Sequence, residues 1–183
     1  MFATEEVKKV KTIKKITPVR LKNIALYYLK RYDTTKASLR LVLMKRVNEY
    51  AYYNPEYDKS DAVGWIEDII SDFERYGYLD DKRFAENRCR DYIAAGKAKR
   101  YIVGKLKEKG VSEDIIEQCF AEQEYNAFDA ALKLAKKKKI AAFRKEKGER
   151  REMRQKDMAV LVRAGFDYDT VVAVVEYEPT EEE

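Results

Sequence analysis

Apolar residues recur at spacings of three and four from Ile24 to Val175, the period of helices that bury one face. Ile24, Ala25, Tyr28 and Leu29 form one stripe; Leu39, Val42, Leu43, Val47 and Tyr50 form the next, with Thr34 or Thr35 as its cap. Asn54-Pro55 breaks the pattern, and residues 54–60 read as a polar loop. Ser60 or Asp61 then opens a third helix with Ala62, Ile66, Ile69, Ile70 and Phe73 inward. Gly77 ends it as a left-handed cap, Asp80 or Asp81 caps a fourth helix carrying Phe84, Ala85, Cys89, Tyr92 and Ile93, and Gly96 ends that one. Ile102, Val103 and Leu106 mark a fifth helix, stopped by Gly110, and Ser112 caps a sixth with Ile115, Ile116, Cys119 and Phe120. Asn126 starts a seventh with Phe128, Ala131, Leu132 and Ala135. Met153, Met158, Leu161 and Val162 belong to an eighth that ends at Gly165, and Asp167 caps a ninth with Val171, Val172, Val174 and Val175.

The glycines carry an internal repeat. Leu106, Gly110, Ser112, Asp114, Ile116 and Cys119 recur as Leu161, Gly165, Asp167, Asp169, Val171 and Val174, each offset by 55 residues. A fainter copy surrounds Leu39 and Leu43, with Val47 where the glycine should stand. The pattern predicts an all-α protein of three tandem three-helix, helix-turn-helix-like repeats over residues 20–76, 77–124 and 125–177. Modules this small should share a core with their neighbours. A basic tail over 1–19, with a short strand from Val10 to Ile16, precedes them, and an acidic tail over 178–183 follows.

Charge changes this picture more than composition does. The chain of 183 residues is 39% charged, yet its net charge is only +5, because the charges are sorted into blocks. Residues 82–110 hold ten Lys/Arg against three acids, residues 133–156 twelve against three, and 56–81 and 111–130 are acidic. Basic blocks on helices suit a polyanion or an acidic partner. There is no histidine, no glycine-rich phosphate loop and no nucleophile elbow, so neither an enzyme nor a metal or other cofactor is expected. Asp80-Asp81 could be drawn as an acid/base pair, but a position between a Gly-Tyr-Leu turn and a helix is where a cap belongs. Cys89 and Cys119 lie on apolar stripes and read as small core residues in a reducing compartment. With no apolar leader or membrane-length run, a cytoplasmic protein is expected; a monomer is the working expectation, with the oligomeric state open.

The candidate binding residues are Lys97, Lys99, Arg100, Lys105, Lys107 and Lys109 in one cluster. Lys136, Lys137, Lys138 and Lys139 with Arg144, Arg150, Arg151 and Arg154 form a second. Phosphate recognition needs several such cations. Tyr92 and Tyr101 flank the first cluster and could stack on bases, although core packing is the commoner use of such tyrosines.

The stretch Gly77-Tyr78-Leu79-Asp80-Asp81-Lys82-Arg83-Phe84-Ala85 resembles the RecX family, in which a glycine, a hydrophobic pair and an Asp precede Phe-Ala at a helix start. Gly96-Lys97, Arg100-Tyr101-Ile102, Lys105 to Val111 and Ala164-Gly165-Phe166 continue the likeness. The chain departs from it at Lys97-Ala98, where family members often carry a second glycine, and in the Tyr- and Asn-rich loop from Asn48 to Asp58. The resemblance implies an elongated, curved body that binds the RecA recombinase filament on DNA, in its helical groove, and modulates, mostly inhibits, its ATPase, strand-exchange and coprotease activities. A helical-repeat protein that binds DNA or RNA directly is the alternative reading.

Overall fold

The computed structural model describes residues 13–144 and 147–178, the side chains of 147–151 excepted. Among them every regular element is helical: α1 (Pro18–Leu29), α2 (Lys36–Tyr53), α3 (Ser60–Arg75), α4 (Asp81–Ala94), α5 (Lys99–Glu108), α6 (Glu113–Glu122), α7 (Ala127–Lys138), α8 (Lys147–Arg163) and α9 (Tyr168–Glu176), with one 3-10 turn at Ala141–Phe143. No described helix is long and apolar enough to cross a membrane. The expected strand at Val10 to Ile16 does not form where it can be followed: residues 13–17 have no regular structure, and residues 10–12 lie outside the described residues.

The helix starts follow the capping residues. Thr17, Thr35, Asp80, Asn126 and Asp167 each accept a hydrogen bond from a backbone N–H in the first turn of their helix. Of the Asp80-Asp81 pair, Asp80 is the cap, its Oδ1 2.9 Å from the Arg83 nitrogen, and Asp81 is the first helical residue. Helix α3 opens at Ser60, as its pattern requires; the cap position is Lys59, which makes no side-chain capping bond, and Asp58 accepts from the Ser60 N–H at 2.9 Å and its hydroxyl at 2.8 Å. Ser112 occupies the cap position of α6 without a side-chain hydrogen bond.

The helix ends share one device. After α3, α4, α5 and α8, Gly77, Gly96, Gly110 and Gly165 take φ of +74°, +66°, +75° and +98°. In each case the next N–H reaches back five residues, as from Lys97 to Tyr92 and from Val111 to Leu106. Helix α7 ends the same way without a glycine: Lys139 sits at φ +54°, and Ile140 N–H reaches the Ala135 carbonyl at 3.1 Å.

The chain divides into two compact units, the first ending at Leu79 and the second beginning at Asp80. In the first, α1, α2 and α3 pack on one another around Leu21, Ala25, Leu39, Leu43, Val47, Ile66, Ile70 and Phe73. Ile16 belongs to this core and is only 2% exposed, so ordered packing begins inside the segment expected to be a basic tail. A single apolar residue among lysines has no period for a sequence reading to detect. The second unit holds two apolar clusters, one formed by α4–α6 and one by α7–α9. Tyr125 packs against both, and Ala98, at the start of α5, is buried in the α7–α9 cluster. Cys89 and Cys119 are free thiols buried in the α4–α6 cluster, and burial, with Cys119 beside it, pushes the Cys89 thiol up to about 11.

Candidate functional site

The cations of the first cluster lie around α5, but the helix distributes them over three sides. Lys97 and Lys105 share Tyr101: their ammonium nitrogens lie 4.9 Å and 5.9 Å from its ring centroid, and Tyr92 meets that ring edge-on at 5.6 Å. Tyr101 is thus a half-exposed support for two charges rather than an open stacking platform. Lys105 also donates to Glu108 at 2.8 Å, which holds it firmly in the charged form. Lys99 and Lys107, two turns apart at i and i+8, turn toward α6, where Lys99 lies 4.9 Å from the Phe120 ring and Lys107 pairs with Glu113. Arg100 takes the third side, its Cβ 3.5 Å from the point where a β-carbon on Gly165 would stand. Lys109 is the C-terminal cap residue of α5.

The second cluster divides more sharply. Arg144 is 18% exposed at its side chain and forms a two-pronged pair with the buried Asp157, Nη2–Oδ1 2.5 Å and Nε–Oδ2 3.1 Å. Asp157 Oδ2 also accepts from the Ala141 N–H at 2.9 Å. Arg144 therefore holds the 3-10 turn against α8 and is not a surface cation. Arg154 is likewise engaged, with Glu176 at 2.7 Å. The side chains of Arg150 and Arg151 lie outside the described residues. Lys136, Lys137 and Lys138 are exposed in the last turn of α7, with Lys136 6.0 Å from the Phe143 ring, and Lys139 follows as the left-handed cap.

A contact absent from the sequence reading links the two clusters. A β-carbon on Gly96 would stand 2.9 Å from the Ala130 carbonyl oxygen and 2.9 Å from Lys133 Cβ, so the turn between α4 and α5 lies directly on α7. Only glycine fits there, both for φ and for space. The contact lays the backbone of Gly96, which leads into Lys97, on exposed Lys133, with Lys137 one turn further along α7. Lys97, Lys99, Arg100, Lys133 and Lys136 to Lys138 form no ion pair among the described residues. Lys133 was missed because it stands apart from the tetralysine; its i,i+4 spacing from Lys137 was the available signal.

Comparison with known proteins gives a consistent result. The family model described as RecX, second three-helix domain, matches residues 80–119. The regulatory protein RecX of Myxococcus xanthus (strain DK1622) is 34% identical over 168 residues, covering 91% of this chain and 89% of that protein. The regulatory protein RecX of Shewanella oneidensis is 32% identical over 124 residues, 62% of this chain and 98% of its own length. The crystal structure of RecX from Lactobacillus salivarius superposes with a TM-score of 0.63 at 21% identity, over 87% of this chain and 94% of that one, which shows a shared fold.

Proposed function

From the membership of this chain in the RecX family, shown by its match to the Myxococcus relative along nearly the whole of both chains, we propose that it regulates a RecA recombinase by binding the filament RecA forms on DNA. The observation that carries the reading is the basic surface of the second unit, where the Gly96 turn, which leads into Lys97, lies on Lys133 while Lys99 and Arg100 form no ion pair among the described residues. Cations mounted on short, packed helices lose little freedom when they meet a polyanion or an acidic groove, so their charge is turned into binding with a small ordering cost. Steric occupation and charge contact account for regulation of this kind; no catalytic step is assigned to the chain.

Titration of the protein into a RecA–single-stranded DNA ATPase assay tests the proposal. The expected result is inhibition that saturates and weakens as salt rises. Tight binding to naked DNA at physiological salt, with RecA making no difference, would move the function to direct nucleic-acid binding.

A further inference from the structure

Helix α5 begins without a cap of its own. Ala98 holds the cap position and offers no side-chain acceptor, so the first N–H groups of the helix need a partner from elsewhere. Ala98 is 1% exposed, its Cβ 3.6 Å from the β-carbon position of Gly165, in the α7–α9 cluster. Tyr125 supplies that partner across the module boundary. Its hydroxyl accepts from the Lys99 N–H at 2.9 Å and donates to the Lys97 carbonyl at 3.3 Å, so one oxygen bridges the two residues on either side of Ala98. The ring that carries this oxygen is itself fixed, edge-on to Phe120 at 5.5 Å and packed against both clusters of the second unit.

We infer that Tyr125 is a positioning residue: its hydroxyl pins the backbone from Lys97 to Lys99 and so fixes where the Lys97, Lys99 and Arg100 charges stand toward the RecA filament. The inference rests on the filament-binding reading above. The two hydrogen bonds run to main-chain atoms of both cationic residues, so their loss frees the turn that carries the charges without removing any charge. The apolar contacts of the ring do not depend on the oxygen, which separates positioning from packing.

The test is Tyr125→Phe in the full chain. Helicity should be unchanged, while the Lys99 amide exchanges with solvent about tenfold faster or more, because its acceptor is gone. Binding to RecA–single-stranded DNA filaments should weaken about three- to tenfold, the scale of one or two hydrogen bonds. In a Lys97→Ala/Lys99→Ala/Arg100→Ala background the same change should have no further effect on binding, since none of the charges it positions is then left. Unchanged exchange, unchanged affinity, an equal loss in both backgrounds, or a loss of helicity each overturns the inference. A wild-type chain that leaves the filament unbound would end the filament reading itself, and that outcome is visible before any variant is made.

Discussion

Lys139 is the residue whose chemistry fits its place least well. It holds the left-handed position after α7, where Gly96, Gly110 and Gly165 stand in the equivalent turns, and a side chain costs about 1 kcal/mol or more there. Lys139→Gly should therefore raise stability by about 0.5–1 kcal/mol, read as a higher midpoint in urea at unchanged slope. The variant also removes one of the four consecutive lysines, so stability and filament affinity would move in opposite directions if that charge contributes to binding. Gly96 is the reverse case. Its φ and the 2.9 Å approaches to Ala130 and Lys133 exclude any other residue, and the approach of the two basic segments depends on it.

At the scale of elements, the second unit is held by groups that look like surface charge. The Arg144–Asp157 pair ties the Ala141–Phe143 turn to α8 and satisfies the Ala141 N–H. Asp157→Ala removes the buried carboxylate that the Arg144 guanidinium and the Ala141 amide share. Destabilisation of about 3 kcal/mol or more is expected in chemical denaturation. Replacing the pair by Arg144→Met and Asp157→Leu should recover part of this loss but not the contribution of the amide. The Arg40–Glu67 pair between α2 and α3 is of another kind, well formed at 2.6 Å but about half exposed. Its hydrogen bonds from Arg40 hold the Glu67 carboxyl below its usual 4.5. A carboxyl lowered in the folded state stabilises fully above its unfolded value and loses that contribution as the pH falls through the folded one. Glu67→Gln should thus flatten the fall of Tm below about pH 4.5 while changing neutral stability by less than about 1 kcal/mol, because solvent screens the pair.

For the molecule as a whole, what matters is which charges remain unneutralised. Lys36, Arg40, Lys82, Lys105, Lys107, Arg144 and Arg154 each have an acidic partner, so they contribute less to an outside field than the basic blocks suggest. Lys133 has none among the described residues. Lys133→Glu together with Lys97→Glu should weaken filament binding by about tenfold or more and flatten its salt dependence, with circular dichroism unchanged. The same two changes made at Lys36 and Lys82 should have a smaller effect. Equal effects from both pairs would mean that net charge alone governs binding and that the Gly96 contact is incidental to it.

Local chemistry was legible in the chain itself. Nine apolar stripes, four glycine stops and most of the caps are short-range features, decided within a turn or two of each residue, and Gly110 and Gly165 take the left-handed backbone that their place in the repeat requires. The motif around Asp80 and Phe84, together with Gly96-Lys97, Arg100 to Ile102 and Lys105 to Val111, suggests the family, since each is a short stretch at a turn or within one helix. The candidate site was legible only as a list of cations. Whether a lysine or arginine is available depends on what the fold puts within about 4 Å of it, and no period or spacing encodes the distance from Arg144 to Asp157 or from Lys107 to Glu113. The contact of the Gly96 turn with Lys133, and the bridge of the Tyr125 hydroxyl across Ala98, arise where two modules meet. Such contacts join residues 26 to 37 positions apart in the chain, and only packing in three dimensions brings them together.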